Sequence, residues 1–330
     1  MCLGREVGRG KGKDNAALEH LRGQYFLVTS FFVTKAKAHC PNSSCKNHLT
    51  PKQRFYIKRG YFITQWNRGR VPRYQCLDCK KSFSSHTFYR TYRQKKPYLN
   101  DTIYRFYTSA TTQRRLAKIL GVNLKTVVRK FLFLAHNAEA MHLEKLGKKE
   151  FDVAHCQFDE MLTFEHTRLK PISIALAVQK QDSKLISIQV AQSHYQGILS
   201  SVAIRKYGPR EDQSHAARSR VLTTLQSQIK GSCTLVTDAK LVYRTEVASH
   251  VPEATLVQIK NRGSRLQRLL GAKRRNIKDP MFELNLVAAK IRHDLSRMAR
   301  KVWVTTKCQD RLHKHLLLFL ASQNGYSIAD

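Results

Sequence analysis

The sequence predicts an α/β protein, with a mixed-sheet domain in its C-terminal half preceded by a cysteine-bearing β module and a helical segment. Apolar residues recur at helical spacing through 99–145 and then alternate over five short runs, 155–162, 172–179, 185–191, 234–237 and 255–259. Helical patterns at 216–229 and 281–302 interrupt and follow those runs, with room for a further helix between the last two strands. Two cysteine pairs, placed around short aromatic and basic strands, set the N-terminal module apart.

Residues 1–36 hold no steady period and read as a flexible or weakly helical leader. The module at 37–97 follows. Cys40 and Cys45 are separated by four residues, Cys76 and Cys79 by two, and thirty residues lie between the pairs. Four thiolates on two tight turns suit one tetrahedral Zn²⁺, so a zinc ribbon is expected. His39 is an alternative ligand to one cysteine. Phe83, after the second pair, is expected to pack beneath the metal. The hairpin between the pairs carries Tyr61, Trp66, Arg68, Arg70, Arg73 and Tyr74, a mixture suited to phosphates. Cys2, Cys156, Cys233 and Cys308 read as structural thiols.

Residues 98–147 form the helical segment. Within 112–130, Ala117 is small where two helices would cross, Gly121 permits a turn, and Asn123 can cap the second helix. This is the grammar of a helix-turn-helix. It places Lys125, Thr126, Arg129 and Lys130 toward a major groove. Gly147-Lys148-Lys149 reads as a hinge into the sheet domain, 148–320, which leaves 321–330 as a tail.

Charge narrows the partner. The 330 residues include 59 Lys+Arg against 23 Asp+Glu, a formal net charge of +36. Such self-repulsion calls for a polyanion, and double-stranded DNA rewards many dispersed cations through counterion release. No run approaches the ~18 apolar residues of a membrane-spanning helix. No apolar signal segment follows the basic stretch at 4–13, so a cytoplasmic, nucleoid-associated protein is expected, with cysteines as metal ligands or buried thiols. Residues 151–200 depart from the trend, with four basic and five acidic residues. A cation site would account for acids gathered inside so basic a chain.

Two aspartates are the candidates. Asp159 interrupts an apolar strand, and Asp238 ends another. An ionised carboxylate in such a place is costly without a compensating positive charge. Two such strand-borne aspartates can hold divalent ions for phosphoryl transfer. Alternation turns Glu160 away from Asp159 and makes it a structural partner. Glu165 and His166 lie close in sequence; a packing role suits His166. In the helix at 281–302, Leu284, Ala288, Ile291, Leu295, Met298 and Val302 form one apolar stripe, with Glu283 on one flank and Asn285 on the other. Lys290, Arg292, Arg297, Arg300 and Lys301 read as phosphate contacts.

Gln157–Met161, the Thr237-Asp238 strand end and the basic stretch Arg300–Lys307, taken with the order of ribbon, helix-turn-helix and sheet domain, resemble bacterial insertion-sequence transposases of the zinc-ribbon DDE type, close to the IS-one group. The resemblance covers roughly residues 37–320. It implies a ribonuclease-H-like catalytic domain, Mg²⁺ or Mn²⁺ dependence, and cleavage and strand transfer at terminal inverted repeats. Its substrates would be transposon ends and target DNA, held by a homo-oligomer. It also implies a third acidic ligand. A carboxylate holds a hard cation better than an amide does, which favours Glu283; one register of the resemblance favours Asn285 instead. A catalytically inactive, transposase-derived DNA-binding regulator is the alternative from another class, and a structure-specific nuclease without strand transfer is a further one.

Overall fold

A computed structural model describes residues 39–64, 67–195, 197–260, 279–299 and 304–329. The leader, Trp66, Arg300 and Lys301 lie outside these, as does the side chain of Arg68. The chain forms two compact units: one of Met1–Ile103, Leu116–Thr126 and Ala329–Asp330, and one of Tyr104–Arg115 and Val127–Ile328.

The first unit contains a three-stranded antiparallel sheet in the order β1 (Tyr56–Thr64), β2 (Asn67–Cys76), β3 (Ser82–Ser84). Its interior is small and aromatic. Phe55 and Phe83 lie parallel with ring centres 6.0 Å apart, and both share a buried cluster with Cys40, Cys45 and Cys76. Phe83 thus packs against the cysteines, as the sequence led one to expect. Most of helix α1 (Leu99–Tyr107) follows in this unit.

Helix α2 (Gln113–Ile119) and the long helix α3 (Leu124–Gly147) are joined by a turn in which Gly121 adopts φ +57°. Asn123 caps α3: its Oδ1 accepts from the backbone N–H of Lys125 at 2.8 Å. Leu116 and Ala117 are buried, as a helical corner requires. From Val127 onward α3 belongs to the second unit.

The second unit is built on five strands: β4 (His155–Phe164), β5 (Pro171–Gln179), β6 (Leu185–Gln192), β7 (Cys233–Asp238) and β8 (Ala254–Ile259). Their spatial order is β6-β5-β4-β7-β8. The β4–β5 and β5–β6 pairs are antiparallel; β4–β7 and β7–β8 are parallel. Parallel pairing demands crossovers. The helices α4 (Ser200–Tyr207) and α5 (Ser214–Gln228) connect β6 to β7, and α6 (Leu241–His250) connects β7 to β8.

Both faces are covered, so β5 reads as an unbroken apolar run rather than an alternating one. Ala175 and Ala177 face a core with Val221, Leu222 and Leu225 of α5 and Tyr243 and Val247 of α6. Ile172, Ile174, Leu176 and Val178 face the opposite core, with Leu284, Val287 and Ile291 of α7 (Phe282–Asp294) and Leu316 and Phe319 of α8 (Gln309–Gln323). Helix α7 is shorter than its apolar stripe. Leu295 turns extended at φ −107°, ψ 107°, and Asp294 O accepts from Ala110 N at 2.7 Å. Leu295 and Met298 still reach the same core through a turn.

The last residues described are packed in place. Asn324 pairs both amide atoms with the backbone of Leu185 at 2.9 Å, and Ile328 is fully buried. No helix among the described residues is long and apolar enough to cross a membrane.

Candidate functional site

The four cysteines converge. Their sulfurs all lie within 4.8 Å of one another, with Cys40–Cys79 at 3.4 Å and Cys45–Cys76 at 3.9 Å. Tetrahedral Zn²⁺ with Zn–S bonds of about 2.3 Å would set the S···S edges near ~3.8 Å, so the cluster fits a structural zinc ion. The electrostatics agree. Burial pushes the Cys40 thiol up to about 12, whereas the Lys81 backbone N–H brings Cys79 down to about 6. Four thiolates this close cannot all ionise without a cation between them. Asn47, fully buried, supports the cluster with an amide directed at Cys45 and Cys76 and hydrogen-bonded to Asp78. The spacing of the cysteines gave no hint of that residue. His39 instead packs edge-on against His48 and tilted against Phe88.

Asp159 and Asp238 occupy the junction of the antiparallel and parallel halves of the sheet. Phe158 and Thr237 are register partners in the parallel β4–β7 pair, so the two aspartates each follow a matched pair. Adjacent strands lie ~4.8 Å apart, which puts their Cα atoms roughly that close and their side chains on the same face. Strand β7 ends at Asp238 while β4 continues to Phe164, so the pair sits where the sheet narrows. Burial, with help from the Asp238 charge, raises Asp159 to about 6. Its Oδ1 accepts from Glu160 N at 2.7 Å and from the Tyr243 hydroxyl at 3.2 Å. Asp238 Oδ1 accepts from Lys240 N at 3.1 Å.

Glu283 stands in the first turn of α7, on the Asp159 face of the sheet. Gln157, two residues before Asp159 and fully buried, clamps this turn. Its amide donates to Pro280 O at 3.0 Å and to Glu283 Oε2, and its Oε1 accepts from Leu284 N at 2.7 Å. Asn285 is exposed, and its amide donates to Asp279 at 2.8 Å. Of the two flanks of the stripe, the one bearing Glu283 is thus held against β4. The three carboxylates do not close into a ligand set: among the described residues, only the cysteines bring three or more such atoms within 4.8 Å.

Glu160 points to the other face, as alternation requires, into an ion network. Arg218 lies 3.3 Å from it and forks onto Glu246 with two bonds of 2.7 Å. Lys240 Nζ, Ser173 Oγ at 2.6 Å and Tyr243 OH at 3.1 Å complete its surroundings. Burial opposes its charge, yet Lys240, Ser173 and Arg218 hold its carboxyl below the usual range. Arg218, Tyr243 and Glu246 are absent from any reading of the sequence, because they come from two helices and join only in the fold.

The remaining candidates are dispersed. Arg70 and Arg73 are exposed on β2, where the Arg73 guanidinium lies 5.7 Å from the Phe62 ring centre. Lys125 and Arg129 are exposed on the first turns of α3 and Thr126 is half-buried, but Lys130 is buried, which lowers it to about 8. Lys290 reaches Gln323 at 3.4 Å, and Arg292 is half-buried. Arg297 does not suit a surface phosphate contact. It lies beyond the end of α7, burial lowers it to about 10, and its Nε has no hydrogen-bond partner. His166, at φ +64°, is exposed rather than packed: its Nδ1 lies 3.1 Å from Lys307 Nζ, and its backbone N–H donates to Thr306 O. Compared with known proteins, the chain matches no protein-family model and no curated sequence.

Proposed function

We propose that the chain is a metal-dependent DNA transposase of the DDE type, with a ribonuclease-H-like catalytic domain. The observation that carries this reading is the pairing of Asp159 with Asp238 on neighbouring strands, each one step past a matched residue pair. The mixed five-stranded sheet suits the fold that the resemblance implies, and the net charge of +36 suits a DNA substrate.

Asp159 and Asp238 would hold Mg²⁺ or Mn²⁺, with Glu283 as the third ligand once it leaves Gln157. Bound there, two such ions supply an activated attacking oxygen and stabilisation of the leaving one. The protein's own contribution is to hold the carboxylates where β7 ends beside β4, and the phosphates next to them. The cysteine-bound hairpin, with Arg68, Arg70 and Arg73, grips the DNA backbone. Lys125, Thr126 and Arg129 read the major groove at transposon ends. Lys290 and Arg292 would line the path of the duplex. Bringing two ends together calls for a homo-oligomer.

The test uses supercoiled plasmid DNA and Mn²⁺ or Mg²⁺, comparing the wild type with Asp159→Ala and Asp238→Ala. Both variants should lose nicking by at least about a hundredfold while still shifting DNA on a gel. Nicking that survives in both would refute the mechanism. The regulator reading has one observation in its favour, the open arrangement of the three carboxylates. It expects the wild type to bind DNA and never nick it.

A further inference from the structure

The Tyr243 hydroxyl lies between two carboxylates, 3.2 Å from Asp159 Oδ1 and 3.1 Å from Glu160 Oε2, and carries one proton. Glu160 is already supplied. Arg218, Lys240 and Ser173 all direct donors at it, and its side chain is only 6% exposed. Asp159 Oδ1 otherwise has one donor, the Glu160 N–H. The proton therefore goes to Asp159, and the Lys240 ammonium, 5.2 Å from the Tyr243 ring centre, offsets the approach of the phenol oxygen to Glu160. With Oδ1 engaged twice, Oδ2 is left as the oxygen able to take a cation.

We propose that Tyr243 is a positioning residue for the cation site, orienting Asp159, with Lys240 and Arg218 holding Glu160 so that the hydroxyl is free to do so. The proposal rests on Asp159 being a metal ligand. Its physical basis is general: ligating carboxylates are themselves hydrogen-bonded, and losing the supporting partner costs about 10–100-fold in metal affinity. The ring is fixed independently of the hydroxyl, packed edge-on against Phe158 at 5.1 Å and buried with Val247. Removing the hydroxyl alone should leave the fold intact.

The experiment is Mn²⁺ titration of the full chain followed by electron paramagnetic resonance, with thermal melts in EDTA as a measure of folding. Tyr243→Phe should raise the Mn²⁺ dissociation constant about tenfold with little change in melting temperature. Lys240→Met, at a half-exposed side chain, frees Glu160 to take the tyrosine proton and should weaken Mn²⁺ in the same direction. Wild-type affinity in both variants would overturn the proposal. Should Tyr243→Phe fail to fold, Lys240→Met decides alone. If the wild type binds Mn²⁺ no better than Asp159→Ala, the cation site itself is wrong, and the role of Tyr243 falls with it.

Discussion

A half-buried aspartate whose carboxyl is raised to about 6 is a group the fold tolerates rather than favours. The sign follows from linkage. Because the folded value lies above the unfolded one, near ~3.9, the contribution of Asp159 to stability is intact below that value and is lost as pH rises through about 6. Asp159→Asn keeps the shape and removes the charge. At pH 7.5 it should stabilise the metal-free protein by about 2 kcal/mol, measured by chemical denaturation. Added Mn²⁺ should raise the melting temperature of the wild type but not of the variant. An unchanged or lower stability in EDTA would contradict the strain assigned to this position. At this scale the sequence was informative about Asp159, Asp238 and Glu160, since a charge inside an alternating strand is visible in one dimension. It gave no role to the side chain of Gln157 and did not single out Arg218 or Tyr243. Gln157 settles which flank of α7 lies against β4 through contacts more than a hundred residues apart in sequence, which no local pattern encodes.

Elements divide the same way. All five strands of the mixed sheet stand where alternation and apolar runs put them, because burial on both faces leaves a strong pattern. Helix α7 ends early for a reason the pattern cannot carry: its stripe remains buried through the turn after Leu295. Helix α8 and the short α4 passed unread, and the segment after Gln323 packs through Asn324 and Ile328 rather than trailing as a tail. With zinc in its four-cysteine cluster, the cysteine module would be the element whose stability depends most on a bound ion. Chelation, or Cys76→Ser, should release one zinc per chain and unfold the hairpin, since metal binding and folding are one free energy in so small a core. Proteolysis of the first unit should then speed up, while retention of the hairpin without zinc would argue against a structural ion. Helix α3 supplies a pH test. His142 is held neutral between the Tyr326 hydroxyl at 3.2 Å and Ile186 O at 3.0 Å, and burial lowers it to about 4. A depressed value means stability that is full above the unfolded pKa of ~6.5 and is lost as pH falls toward 4, on the order of 2–3 kcal/mol. Denaturant midpoints at pH 7.5 and 4.5 measure it, and a smaller acid loss in His142→Gln is expected.

For the whole molecule, the sum of charges and the placement of the few acids point the same way. A chain at +36 gathers Asp159, Glu160, Asp238 and Glu246 around the β4–β7 junction in the middle of the sheet, pairs Glu160 and Glu246 with Arg218, and leaves Asp159 and Asp238 without a salt bridge among the described residues. On the proposed reading, two acids kept side by side and free of such partners in so basic a protein would take cations that the chain does not itself provide. Anomalous diffraction at the manganese edge, from crystals grown with Mn²⁺, tests that claim most directly. Peaks bridging Asp159 and Asp238, a pair ~3.5–4 Å apart when DNA is present, are the expected result. Clear density for both side chains with no manganese between them would contradict it.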